Sequence, residues 1–520
     1  MRIAALGMGL AVLLGGCAAF PQPMPPHAYG SPPPQFTGPA QQATAQAIAR
    51  IQQLNPMLHA VIAVDPTAMQ QAAAIDAKNP GGALAGQPVL IKDNIESVGP
   101  LPTTAGSLAL ADNVTNRDAP LVARLRSAGA VILGKTNLSE WANFRSNNSI
   151  SGWSAVGGQT RNPYALDRDP CGSSSGSGAA VAAGIVRLAI GTETDGSVTC
   201  PASINGIVGL KPTVGLVSRT HIVPISASQD TAGPMAASVR EAAELLTVIA
   251  GSDPADPATA EAAMHKTDYA AGLDANSLAG KRIGVMRFAS GFGTDGVLDA
   301  ALAVLKARGA TLIDIKKFDR KGIGANEFQV LLTEFKDGIN RYLTAAPATV
   351  RSRTLGDLIV FNKAHAAQEM PLFGQEEFEQ AEATKGLDDP AYKKARKTSF
   401  EAAGPNGIDK LLKDYNVVAL VGPTTAPAWK IDAVNGDQSA GGGAGGLAAV
   451  AGYPHLTVPM GLVKGLPVGL SFIGPKWSEQ LLLSLGYAYE QARGPFPAPT
   501  LMPSIETSPE IAPALEPQRP

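Results

Sequence analysis

The sequence predicts an α/β fold: one large, mixed and mostly parallel twisted sheet with helices on both faces. Three observations carry this. Short apolar runs alternate with runs of helical length across residues 44–493. Hydrophobic residues make up 45% and charged residues 17% of the 520, a core-forming composition. No linker or internal repeat breaks residues 44–493, which favours one large domain.

The elements follow in order. Gln42 to Leu54 predicts a helix stopped by Asn55-Pro56. Leu58 to Val64 predicts a strand, and Pro66 to Lys78 a helix ended by Asn79-Pro80-Gly81. Pro88 to Ile95 predicts a strand, in which Val89, Leu90 and Ile91 form a continuous apolar run that ends in Lys92. A helix over Leu121–Ala128 and a strand over Ala130–Gly134 come next, then a strand-like run over Ile185–Ile190. Further on are the strand Ile283–Phe288, the helix Val297–Arg308 and the strand Thr311–Ile315. Residues 320–410 are charged and helical, as in an insertion or cap. Strands at Val417–Val421, Leu456–Val458 and Val468–Ile473 precede a closing helix, Glu479–Arg493.

The two ends differ from this body. Arg2 followed by the apolar stretch Ile3–Gly16 is too short for the ~20 residues that span a bilayer, so residues 1–16 predict an export signal. Leu14-Gly15-Gly16-Cys17 resembles a bacterial lipobox, which makes Cys17 a lipidation site; the alternative is an ordinary signal peptide with an incidental cysteine. Residues 17–43 then form a lipidated Cys and a tether with eight prolines between Pro21 and Pro39, a stiff solvated spacer. The expected location is periplasmic, on a membrane through the lipid. Residues 494–520 are a second Pro-rich tail. A net charge of −2 argues against a nucleic-acid partner, and three cysteines are too few for a disulfide scaffold.

Three segments could carry chemistry. Cys171-Gly172-Ser173-Ser174-Ser175-Gly176-Ser177-Gly178 runs directly into the small-residue helix Ala179–Gly184, which a flexible linker does not do. It lacks the Gly-Lys-Ser/Thr of a phosphate loop. Its Gly172-x-Ser174-x-Gly176 matches a nucleophile elbow, but loop rather than strand precedes it, and no later histidine has a distinctive context. Gly191-Thr192-Glu193-Thr194-Asp195-Gly196-Ser197 follows a strand and offers consecutive N–H groups to an oxyanion; alone it reads equally as an ordinary strand-to-helix turn. Lys92, at a strand's carboxyl end, becomes a base if desolvated; a lone strand-end lysine more often snorkels to solvent.

Together and in this order the segments resemble the amidase signature family. Thr104-Ala105-Gly106-Ser107, Gly134-Lys135-Thr136-Asn137, Gly209-Leu210-Lys211-Pro212-Thr213, Asp230-Thr231-Ala232-Gly233-Pro234 and Ala451-Gly452-Tyr453-Pro454 add to the resemblance, which spans roughly residues 44–493. Cys171 and Cys200-Pro201 make the chain look most like the peptide-amidase branch. The resemblance implies a Ser–cis-Ser–Lys triad: Ser197 as nucleophile, Ser173 as bridging serine after a cis peptide bond, and neutral Lys92 as base. It implies an oxyanion hole of the backbone N–H groups of Thr194, Asp195, Gly196 and Ser197, with Glu193 and Ser174 orienting the reacting groups. It implies hydrolysis of a carboxamide to carboxylate and ammonia through an acyl-enzyme, with no metal and no cofactor. Peptide C-terminal amides are the expected substrates, and aryl or aliphatic amides the alternative.

Two positions depart from the commoner family pattern: Asp195 stands where a glycine is usual, and Cys171 and Ser175 flank the earlier turn. Both bear on substrate range. Cys171 and Cys200 could pair in an exported protein; buried free thiols are the preferred expectation. The loop Gly436–Gly446 reads equally as a mobile pocket edge or a simple connection. Two rivals remain: a non-catalytic binding lipoprotein, and an NAD-dependent dehydrogenase suggested by Gly291-x-Gly293-x-x-Gly296 with Asp314 beyond it.

Overall fold

The computed structural model describes residues 38–517. The expected export signal, the lipidation position Cys17 and the spacer up to residue 37 lie outside the described residues. Thirteen strands are present among the described residues: β1 Val61–Val64, β2 Pro88–Lys92, β3 Val131–Thr136, β4 Trp153–Ser154, β5 Gly158–Gln159, β6 Leu188–Glu193, β7 Val208–Lys211, β8 Thr231–Ala236, β9 Arg282–Met286, β10 Thr311–Ile315, β11 Ala419–Pro423, β12 His455–Val463 and β13 Leu466–Ile473. Eleven form one sheet in the order β1-β3-β2-β6-β8-β7-β12-β13-β11-β9-β10; β4 and β5 pair separately.

The sheet is mixed, but its parallel share is smaller than the sequence suggests. Parallel blocks β3-β2-β6 and β11-β9-β10 flank an antiparallel centre. Part of the reason lies in β7 and β8, which the sequence does not mark as strands because they carry Gly209, Gly233 and Pro234. Gly233 is required there: a Cβ would sit 2.0 Å from the Leu210 carbonyl oxygen. β12 and β13 form a hairpin through Lys464-Gly465, both with positive φ, the backbone that suits a two-residue hairpin turn.

Strand alternation separates two helix layers. Val89 and Ile91 of β2, and Leu188 and Ile190 of β6, face the helices Pro120–Ser127, Val239–Ile249, Asp295–Ala307 and Glu479–Arg493. Leu90 and Ala189 face the opposite way, onto the helices Pro39–Leu58, Ala68–Lys78 and Ser175–Ala182. The first helix runs through Pro56 rather than stopping at it. Proline there removes one hydrogen bond from a turn that is about to end, and Asn55 closes the helix by exchanging two 2.8 Å hydrogen bonds with Val61.

Between β10 and β11 the chain is helical. The helix Gly324–Thr344 packs Phe335, Ile339 and Leu343 with Leu355, Leu358 and Phe378 against Trp141 and Phe144. Residues 494–517 follow the surface, held by Leu501 N–H to the Pro163 carbonyl (2.9 Å) and Tyr164 O–H to the Pro497 carbonyl (2.6 Å). The glycine pattern at 291–296 caps the helix Asp295–Ala307 in a strand–helix–strand unit, and Asp314 is engaged by Arg287 at 2.9 Å. Among the described residues no helix is long and apolar enough to cross a membrane.

Candidate active site

β2 and β6 are parallel neighbours, so their carboxyl ends lie side by side. This places Lys92, the last residue of β2, beside Thr192 of β6. The Lys92 amine lies 2.9 Å from Thr192 Oγ1 and 3.3 Å from the Thr192 carbonyl oxygen. It lies 2.7 Å from Ser173 Oγ. Asn94 Nδ2 donates to the same Thr192 hydroxyl at 2.9 Å. Lys92 is fully buried, and burial lowers its pKa to about 7; Asp230 and Glu193 pull it back up. The sequence left snorkelling open for this lysine, and its burial excludes it.

Ser173 follows a cis peptide bond from Gly172, as the family resemblance implies, and precedes the helix Ser175–Ala182. That helix is buried from its first residue, and a Cβ at Gly176 would sit 2.1 Å from the Ala60 carbonyl oxygen. The small residues therefore let the helix, and the serine before it, press into the sheet's carboxyl edge. Ser174 is not a free nucleophile: its hydroxyl donates to the Thr192 carbonyl (3.1 Å) and accepts from Thr192 N–H (3.2 Å).

Ser197 stands in the turn between β6 and the helix Thr199–Ile204. Ser173 is fully buried, whereas Ser197 keeps 7% of its surface, so Ser197 is the hydroxyl within reach of a ligand. Gly196 has φ +79°, a left-handed conformation that favours glycine and turns the backbone back on itself. The N–H groups of Asp195, Gly196 and Ser197 find no acceptor among the described residues. Glu193 braces this turn from below, accepting from Val198 N–H (2.8 Å), Thr199 N–H (2.9 Å) and Thr199 Oγ1 (3.1 Å). The two serine turns touch directly, through Ser174 N–H to the Ser197 carbonyl at 3.1 Å.

The same contact corrects one expectation. Cys171 and Cys200 are not free thiols but a disulfide, with Cα atoms 6.0 Å apart across 29 residues of sequence. Each cysteine lies two or three residues from one of the two serines, so docking the turns brings the cysteines into bridging range. The Cys171→Ser/Cys200→Ser double variant is expected to lose about 3–4 kcal/mol of folding stability, from loop-closure entropy. Urea denaturation checks this; an unshifted midpoint contradicts it.

Three contributors have no claim to a role from sequence alone. Thr192 binds Lys92, as above. Asp230 accepts from Thr194 Oγ1 (2.6 Å), Ile225 N–H (2.8 Å) and Ser226 N–H (2.9 Å), and burial raises its pKa to about 6. Glu327 reaches the site from the helix Gly324–Thr344. Asp230 opens one of the family motifs; nothing in the local pattern marks Glu327. Lys135, in another of those motifs, is structural: it donates to the Ile95 carbonyl and to Thr103 Oγ1 (2.8 Å) and lies 3.8 Å from Asp93. Within the loop Gly436–Gly446, Asp437 is held by Ser151 Oγ (2.6 Å) and Trp429 Nε1 (3.0 Å).

A large mixed sheet with a buried lysine, two serine turns and a nest of free N–H groups at its carboxyl edge defines a class of hydrolase. Residues 42–483 match the family model described as amidase, and the chain belongs to the amidase family. It is an amidase, a hydrolase of amide bonds. It resembles the crystal structure of the native peptide amidase from Stenotrophomonas maltophilia, at 51% identity and TM-score 0.83, over 89% of this chain and 95% of that one. It also resembles the crystal structure of an amidase family protein from Bacillus anthracis, at 35% identity and TM-score 0.81, over 89% of each chain. It is 41% identical to an Arabidopsis thaliana protein described as a probable amidase, over 85% of this chain and 84% of the relative.

Proposed function

We propose that the protein hydrolyses carboxamides to carboxylate and ammonia through Ser197, Ser173 and Lys92, and that its substrates are C-terminal peptide amides. The observation that carries this is the uncharged-prone Lys92 amine 2.7 Å from Ser173 Oγ in a fully buried setting. A group that titrates near neutrality is matched to general base work. Ser197 Oγ attacks the carboxamide carbon as its proton passes to Ser173 and the Ser173 proton passes to Lys92. The oxyanion sits among the N–H groups of Thr194, Asp195, Gly196 and Ser197. Collapse of the intermediate breaks the C–N bond, and the proton held by Lys92 passes through the Ser173 hydroxyl alone to the leaving nitrogen, releasing ammonia, because the Ser197 oxygen is now bonded to the acyl carbon. Water then attacks the acyl-enzyme by the same route, giving the carboxylate and restoring Ser197. Ser174 and Glu193 hold the two turns in register.

Similarity to a peptide amidase across nearly the whole chain supports the substrate class. Ammonia release from a panel of C-terminal peptide amides, aryl amides and short aliphatic amides tests it. Peptide amides are expected to be the best substrates. Turnover confined to small amides would instead make the protein a general amidase.

A further inference from the structure

The helix Gly324–Thr344 belongs to the segment between β10 and β11, yet it grips the turn that carries Ser197. Two carboxylates lie two turns apart on this helix and therefore on one face: Glu327 meets the turn, and Glu334 holds the neighbouring segment 226–228. Glu334 Oε2 accepts from Ser226 Oγ (2.5 Å) and Ser228 N–H (2.9 Å), and Tyr392 O–H donates to its Oε1 (2.7 Å). Glu327 Oε1 accepts from Gln229 Nε2 at 3.0 Å, and the same amide nitrogen reaches the Thr194 carbonyl oxygen at 3.4 Å. Asp230, next in the chain, holds the Thr194 hydroxyl. The Glu327 carboxyl also lies against the Asp195 carboxyl.

We infer that Glu327 is a positioning residue for the oxyanion turn, holding Thr194 through Gln229 and Asp195 by direct contact. This rests on the amide-hydrolase reading above. Two carboxyl groups in contact must hold a proton between them, because two adjacent negative charges repel. Burial and the facing Asp195 raise Glu327 to about 8. The Asp195 carboxyl is pushed up as well although the residue keeps exposed surface, first by the crowding of the surrounding chain and then by Glu193, while the Glu327 contact, Lys211 and Arg320 act in the opposite sense. Near neutrality Glu327 therefore keeps its proton and donates it to Asp195. Because its pKa is raised, the contact is present below about pH 8 and is lost above it, when both groups carry charge.

Glutamine at 327 mimics the protonated acid: its oxygen accepts from Gln229 and its nitrogen donates to Asp195. The wild type is expected to lose kcat/KM above about pH 8, and Glu327→Gln to keep kcat at pH 7 without that alkaline fall. Glu327→Ala is expected to lose kcat by about tenfold with KM within about twofold, since it loosens groups that act in the transition state. Hydrogen exchange at residues 194–198 is expected to quicken in Glu327→Ala and not in Glu327→Gln. Equal losses of kcat in both variants, with the alkaline fall retained, would overturn the inference, as would exchange at 194–198 that neither variant changes. If the wild type hydrolyses no amide, the hydrolase reading fails, and the exchange measurement, which needs no substrate, still decides the coupling.

Discussion

Lys92→Met lowers kcat/KM by on the order of 10⁴-fold and makes the protein more stable. Both effects have one cause. The activity is lost because methionine cannot take the Ser173 proton, and no other base lies within hydrogen-bonding distance of Ser173 Oγ among the described residues. The stability is gained because folding strips water from an amine. The folded pKa of about 7 lies well below the ordinary 10.5, so the unfolded chain binds the proton more tightly. A group lowered in this way contributes its stability above pH 10.5 and loses it as the pH falls towards 7. At pH 7 the deficit is about 4 kcal/mol. Methionine removes it but leaves Thr192 without its lysine partner, which returns about 1–3 kcal/mol. The expected net gain is about 1–3 kcal/mol at pH 7, seen as a higher urea midpoint. That gain is expected to shrink steadily as the pH is raised from 7 towards 10.5. In the wild type the same titration gives kcat/KM an acid limb near pH 7. A Lys92→Met variant that retained activity, or one less stable than wild type at pH 7, would contradict the account.

Ser197→Ala is the second large effect. It removes the one hydroxyl of the pair that keeps surface in the cleft and lowers ammonia release by on the order of 10⁴-fold or more. The turn around it is fixed by Glu193 and by the Ser174–Ser197 backbone contact, neither of which uses the Ser197 hydroxyl. The variant is therefore expected to fold with an unchanged urea midpoint and to keep its affinity for an amide it can no longer cleave. Ser173→Ala is expected to fall between this variant and wild type, since water can carry a proton part of the way.

The three groups proposed to react could be picked out in the sequence because each lies in a segment that, taken in order with the others, resembles the amidase signature family; alone, each segment was ambiguous. Lys92 ends an apolar strand, Ser173 opens a small-residue helix, and Ser197 closes a Gly-containing turn after a strand. Groups brought in by tertiary packing were not legible. Glu327 lies on a helix whose own sequence is that of an ordinary amphipathic insertion, and its partner Gln229 is 98 residues away. The disulfide depends on how two turns dock, which spacing alone does not reveal. In the sheet, the outer parallel blocks were visible as alternation of strand and helix. β7 and β8 were not, because the glycine and proline that suit them to close strand packing also weaken their strand pattern. Pro56 misplaced the end of the first helix for a related reason: a proline in a final turn breaks little.

The proposed reaction stands on an acyl-enzyme formed at Ser197. Labelling with a small sulfonyl fluoride, followed by peptide mass spectrometry, tests it most directly. One covalent adduct is expected on Ser197, in step with loss of ammonia release, and none in Ser197→Ala or, over the same time, in Lys92→Met. Inactivation with the adduct on another residue, or an unchanged adduct in Ser197→Ala, would contradict it.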